Sequence, residues 1–205
     1  NIESDVWETV GSMPVFDQNT YGVALGSCVV VYGKVYIIGG IRKVGLKGSI
    51  DAVNDRVLVF DFDSLTWSWS EPFIGNDLVL YERISPFAFA SADTSSIHVL
   101  GGAIPGVKNQ DTGEQPLEFV TDSFKINLPN LMLSSDDFIY KQIPFPRYRG
   151  VTVSIADKHY FLGGTNAKSQ VLNIFELIQE NSPTYSYDTL ARMPTAKTSF
   201  GGVSD

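Results

Sequence analysis

Apolar residues recur along this chain as short runs that come in pairs, and a short polar turn joins the two runs of each pair. Residues 29–32 and 35–38 flank Gly33-Lys34, and this arrangement returns twice further along. Paired runs of this kind predict β-hairpins. The other two hairpins are predicted at residues 87–90 with 97–100, and at residues 151–155 with 159–162.

A double glycine follows each hairpin, at residues 39–40, 101–102 and 163–164, with 62 positions between successive first glycines. A polar loop, a third apolar strand, a fourth strand with an aromatic residue and a proline complete each unit. The third strands are predicted at 56–61, 119–124 and 171–176, and the fourth at 66–69, 138–140 and 184–187. A four-strand unit repeated in this way predicts an all-β repeat architecture.

This unit resembles the kelch repeat, and Asp61, Thr66 and Trp67 of the first unit fit that pattern best. The resemblance implies a kelch-type β-propeller of four-stranded antiparallel blades. We expect blades at 19–80, 81–146 and 147–194, the last strand of a preceding blade at 1–18, and the first strand of a following blade at 195–205. The chain is then a piece of a larger ring, completed by further blades of the same polypeptide or by another chain.

Composition narrows the class of protein. A chain of 205 residues with 43% hydrophobic content can bury a sizeable core. A formal charge of −8 disfavours nucleic acid and anionic membranes as partners, because both attract basic proteins. No apolar stretch is long enough to span a bilayer. Cys28 is the only cysteine, which excludes an intramolecular disulfide and favours the cytoplasm or nucleus.

No catalytic, cofactor-binding or metal-binding residue is predicted. His98 and His159 lie in second strands, where packing explains them, and Cys28 lies in a first strand as a small apolar residue. No helix start follows the double glycines, so they are interpreted as architecture and not as phosphate loops. The family resemblance leaves an enzyme open, similar to galactose oxidase or a sialic acid mutarotase, with its site in missing blades. A structural subunit of a larger assembly is a third alternative.

Basic residues collect in two kinds of loop: those that lead into each blade and those that follow the double glycines. In kelch adaptors, which the chain resembles, both kinds lie on one face that binds acidic or polar peptides. The alternative is that these are solvated loop charges, with Arg83 and Arg147 bonding between blades. The predicted partner-binding residues are Arg42, Lys43, Lys47, Tyr81, Arg83, Lys108, Arg147, Arg149 and Lys197.

The expected function is therefore a non-enzymatic protein–protein interaction module. Its partner is expected to be an acidic or phosphorylated peptide or protein, because arginine binds a carboxylate or phosphate through two parallel hydrogen bonds. The loops at 41–55 and 103–118 are long and the loop at 165–170 is short. We expect the first two blades to build most of the binding surface.

Overall fold

The computed structural model describes residues 9–17, 20–21, 23–44, 50–73, 82–128, 130–133, 143–181, 184–199 and 201–202. All regular elements within these ranges are β-strands. No helix in the described ranges is long and apolar enough to cross a membrane. The predicted strand at 138–140 lies outside the described residues.

Three four-stranded antiparallel sheets, called sheets I, II and III, follow one another along the chain. A short pair, β1 (Val15–Asp17) and β2 (Thr20–Tyr21), precedes them. Sheet I and its associated hairpin use β3 (Ser27–Val31), β4 (Lys34–Ile38), β5 (Ile41–Val44), β6 (Ile50–Val53), β7 (Leu58–Asp61) and β8 (Thr66–Trp69). The order in sheet I is β3-β4-β7-β8, and β5 and β6 pair separately.

Sheets II and III repeat the plan of sheet I. The strands that follow are β9 (Phe87–Ala90), β10 (Ser96–Leu100), β11 (Ala103–Pro105), β12 (Leu117–Phe119), β13 (Ser123–Asn127) and β14 (Met132–Leu133). The last four are β15 (Val151–Ile155), β16 (Lys158–Leu162), β17 (Phe175–Asn181) and β18 (Thr184–Thr189). Sheet II is ordered β9-β10-β13-β14 and sheet III β15-β16-β17-β18, while β11 and β12 form a second separate hairpin.

The three predicted hairpins are confirmed as β3–β4, β9–β10 and β15–β16. The third strands of the later units were predicted too early. β13 begins at Ser123 and not at residue 119, and β17 begins at Phe175 and not at residue 171. The reason is that the polar loops contain structure of their own: β12 takes residues 117–119, and Val171 forms an isolated bridge with Thr165.

Alternate residues of β9 in sheet II face the two neighbouring sheets, because side chains point to opposite faces along a β-strand. Val29 and Val31 on β3 belong to a core cluster that also contains Ala88 of β9. Phe87 and Phe89 of the same strand belong to a second cluster, with Phe161 of β16. Sheet II is therefore covered on both faces, which explains its nearly continuous apolar sequence.

The double glycines have an architectural role at the junctions between sheets. Gly40 has a φ of +95° and Gly102 a φ of +86°, a region that side-chain-bearing residues rarely adopt. A Cβ at Gly40 would lie 2.6 Å from the Ala24 carbonyl oxygen, and one at Gly102 would lie 2.9 Å from the Ile84 carbonyl oxygen. The interpretation of these glycines as architecture agrees with this geometry.

Candidate binding face

The two kinds of loop that carry the predicted residues lie at the same end of the sheets. Isolated β-bridges join the entrance of each sheet to the residues after its double glycine: Ala24 with Ile41, Ile84 with Ala103, and Tyr148 with Thr165. We call this end the loop face. It comprises the entrances 23–26, 83–86, 147–150 and 197–199, and the described loop residues 41–44, 50–55, 103–119 and 165–171.

Arg83 lies inside the protein, at the junction of sheets I and II, and only 1% of it is exposed. Its Nη2 donates to Asp122 Oδ2 at 2.8 Å, and its guanidinium carbon lies 5.7 Å from the centre of the Phe124 ring. The Arg83 carbonyl accepts a hydrogen bond from the Gly40 amide at 2.6 Å. Arg83 thus joins the double glycine of sheet I to the third strand region of sheet II.

Arg147 repeats this arrangement between sheets II and III. Its Nη2 donates to Glu176 Oε2 at 2.6 Å, and both side chains are almost completely buried, at 1% and 3% exposed. Its carbonyl accepts from the Gly102 amide at 3.2 Å, and its guanidinium carbon lies 5.1 Å from the Phe87 ring centre. The Nε of Arg147 and the Oε1 of Glu176 are buried without a hydrogen-bond partner.

These positions correct the predicted set of partner-binding residues. Arg83 and Arg147 cannot present their guanidinium groups on an exposed rim, because both are buried in ion pairs with carboxylates of their own units, Asp122 just before β13 and Glu176 in β17. The alternative interpretation, bonding between blades, applies to their main-chain carbonyls, which accept from Gly40 and Gly102 of the preceding sheet, and not to their ion pairs. Their partners lie 39 and 29 residues away in sequence, so the sequence pattern alone did not indicate the pairing.

Arg42 is also engaged within the chain. Its Nη2 lies 3.3 Å from Asp55 Oδ1, and its Nε donates to the Val53 carbonyl at 3.1 Å. Glu82 completes this group: burial, and then the nearby charge of Asp55, raise the pKa of Glu82, while Arg42 opposes the shift. Arg42 therefore belongs to a local cluster of charged side chains with Asp55 and Glu82.

Three predicted residues remain accessible on the loop face. Lys108 and Lys197 are exposed, and Arg149 is half-buried. Within the described ranges, none of the three forms an ion pair with a carboxylate. Lys47 and Tyr81 lie outside the described residues, and Lys43 is described only as a backbone position of β5.

Two aromatic residues of the loop face were not predicted. The guanidinium carbon of Arg149 lies 4.9 Å from the centre of the Tyr148 ring. Tyr148 in turn makes an edge contact with Phe119 of β12, at 5.1 Å between ring centres and 89° between planes. Tyr148 occupies the bridge position held by Ala24 and Ile84 in the other sheets. An aromatic residue at this position was the feature of the sequence that could have indicated the site.

The histidines lie where the sequence placed them, on second strands. Both histidines stack on the ring of Phe89, with ring centres 5.1 Å apart for His98 and 3.9 Å apart for His159. His159 Nδ1 also lies 2.9 Å from Ser154 Oγ. Among the described residues, no group of three or more His, Cys, Asp or Glu side chains is placed to hold a metal ion.

No protein-family model matches the chain, and no curated protein matches it. A solved structure titled "Structure of YjhT" is similar, with a TM-score of 0.60 and 20% sequence identity over 82% of this chain. The fold is propeller-like. The alignment covers 46% of the YjhT chain, so the present chain spans about half the length of that structure. At this identity the likeness concerns the fold alone.

Proposed function

We propose that this chain is a kelch-type module that binds an acidic or phosphorylated segment of a partner protein through its loop face, without catalysing a reaction. The kelch assignment is supported by the double glycines at intervals of 62 residues and by Trp67. The Trp67 ring packs on Phe60 of the adjacent strand, with ring centres 4.8 Å apart.

The observation that carries the binding proposal is Arg149. Its φ is +58°, and the corresponding entrance residues Leu25, Ser85 and Ser199 also have positive φ, at 59°, 45° and 53°. The architecture therefore requires a left-handed backbone at this position and accepts leucine or serine there. The backbone geometry does not need a guanidinium group at this position, which supports a role for Arg149 in recognition.

Arg149 is also held in place. Its carbonyl accepts hydrogen bonds from the Ser199 amide at 2.8 Å and from Thr198 Oγ1 at 3.4 Å, while its side chain stacks on Tyr148. The N–H bonds of a guanidinium lie in its plane, so stacking on a ring does not block the two Nη groups, although the Nε of Arg149 is itself buried. Lys108 and Lys197 add positive charge around this site, in a protein of net charge −8.

The test uses labelled nonapeptides that are identical except for a central glutamate, phosphoserine or glutamine, with binding followed by fluorescence anisotropy. Arg149→Ser removes the guanidinium and retains a residue that the same backbone position holds at Ser85 and Ser199. We expect about a tenfold loss of affinity for the glutamate and phosphoserine peptides, since one charged hydrogen-bonded contact is worth about 1.5 kcal/mol. The glutamine peptide should be unaffected.

Lys168→Ser is the matched control, because Lys168 is an exposed residue of the 165–171 loop and its loss changes the net charge equally. Lys158→Glu, at the first residue of β16 and the opposite end of sheet III, controls for long-range charge effects. Equal binding of acidic and glutamine peptides by the unaltered protein would refute the proposed function. Equal losses for Arg149→Ser and Lys168→Ser would refute the role of Arg149.

A further inference from the structure

A groove runs between sheets I and II at the end opposite the loop face. Its volume is about 630 Å³, within the range of small-molecule sites in proteins. The β3–β4 turn with Tyr32, the β9–β10 turn with Thr94 and the segment around Leu131 form its rim. We call it the turn groove. None of the predicted partner-binding residues lines it.

The floor of the turn groove contains the hydroxyl group of Tyr36. Tyr36 of β4 is 6% exposed, and its ring is part of the core cluster between the two sheets. Within the described part of the chain its hydroxyl has no hydrogen-bond partner, and burial raises its pKa. The Tyr36 oxygen is not one of the fully buried atoms without a partner, so it reaches the groove, where a ligand hydroxyl can take the place of water.

The register of sheet I places a second free hydroxyl beside Tyr36. Val59 pairs with Tyr36 on one side and with Ser68 on the other, so the three side chains share the face that looks toward sheet II. Ser68 is exposed in the groove wall, and among the described residues its hydroxyl also has no hydrogen-bond partner. Val59 supplies an apolar surface between the two hydroxyls.

The charged groups of the turn groove are already neutralised or solvated by the chain. Lys34 Nζ lies 2.8 Å from Asp61 Oδ2. Asp93 Oδ1 accepts hydrogen bonds from Ser91 Oγ at 2.6 Å and from Ser95 Oγ at 2.7 Å. Asp93 keeps its negative charge, because its partners are neutral hydroxyls, so the groove disfavours an anionic ligand, and its other available polar groups are hydroxyls.

We propose that the turn groove binds a neutral saccharide, whose hydroxyl groups would bond Tyr36 and Ser68 and whose apolar ring face would lie against Val59. A sugar fits this lining because it offers both donors and acceptors without net charge. The Tyr32 ring, 73% exposed at the rim, supplies an aromatic surface of the kind on which sugar C–H bonds pack. Its hydroxyl contacts Thr94, which connects the two turns across the groove.

Saturation-transfer NMR with maltose, lactose and trehalose, each at 10 mM, tests the proposal. We expect transfer to at least one disaccharide and no transfer to ethylene glycol, which lacks a ring face. Tyr36→Phe removes only the unpartnered hydroxyl. It should weaken binding about two- to tenfold, the range expected for one hydrogen bond, and leave the melting temperature unchanged or higher.

Tyr160→Phe is the matched control, since Tyr160 is the corresponding residue of β16 and does not line the turn groove. It should bind like the unaltered protein. Absence of transfer to all three disaccharides would overturn the proposal. So would a Tyr36→Phe variant that binds as tightly as the unaltered protein, because the hydroxyl would then have no part in recognition. Neither result bears on Arg149, which lies at the other end of the sheets.

Discussion

Replacing Glu176 by leucine tests whether its buried ion pair with Arg147 anchors the entrance of sheet III to the third strand of that sheet. Leu58, Phe124 and Glu176 hold the same register position opposite the second strand of their sheets. Leucine therefore fits the strand at this position. The substitution leaves the Arg147 guanidinium buried, at 1% exposed, without its carboxylate.

The expected loss of unfolding free energy is about 3–5 kcal/mol, the cost of removing one partner from a buried ion pair. The distance of 2.6 Å and the burial of both partners place this pair in that class. Asp122→Asn, which breaks the corresponding pair of Arg83, should cost less. Asp122 has 36% of its side chain exposed, so water can replace part of the lost interaction.

Urea unfolding followed by circular dichroism measures these differences. The double variant Arg147→Met with Glu176→Leu should recover most of the lost stability, because two apolar side chains of similar volume need no counter-charge. A Glu176→Leu variant that loses less than about 1 kcal/mol would refute the reasoning. A double variant as unstable as the single one would refute it too, since the unpaired charge would then not be the cause.

Three further predictions follow from backbone and titration chemistry. Gly102→Ala should cost about 1–3 kcal/mol in urea unfolding, because its φ is +86° and a Cβ would meet a carbonyl oxygen at 2.9 Å, whereas Gly201→Ala, with open space around it, should cost little. Burial raises the pKa of Tyr187, so the folded state retains a proton that the unfolded chain loses above about pH 10. Stability should fall as pH rises beyond that point, and Tyr187→Phe should flatten the fall. Lys34→Met should raise the pKa of Asp61 from about 2 toward its ordinary value in an NMR titration, because the hydrogen bond from Lys34 is the main cause of the low value.

The sequence was sufficient to predict the strands that neighbouring residues define, such as two apolar runs joined by a short turn. The turn at Gly33-Lys34 separates two apolar runs, and the structure has β3 and β4 there. The third strand of sheet II was misplaced because one strand was predicted over residues 119–124, although Thr121, Asp122 and Ser123 separate Val120 from Phe124. The structure instead ends β12 at Phe119, and the Val120 amide donates to the Gly102 carbonyl before β13 begins. Short polar residues such as these fit a strand or a turn, so hydrophobic periodicity does not show the change of direction.

The candidate site was predicted only in part, for a related reason. Basic residues at the sheet entrances were visible in the sequence, and they do lie at one end of the molecule. Arg147 and Arg149 are two residues apart and look equivalent, yet one is buried against Glu176 and the other stacks on Tyr148. The difference depends on Glu176, a partner 29 residues away on β17, and the sequence does not state that pairing.

The most direct test of the central claim, that the loop face binds acidic peptide segments, is an amide NMR titration with the phosphoserine nonapeptide. We expect the amide chemical shifts to change most in residues 103–119, 148–150, 165–171 and 197–199. Shifts that concentrate instead in the turns at 32–34, 93–95 and 156–158, at the opposite end of the sheets, would contradict it.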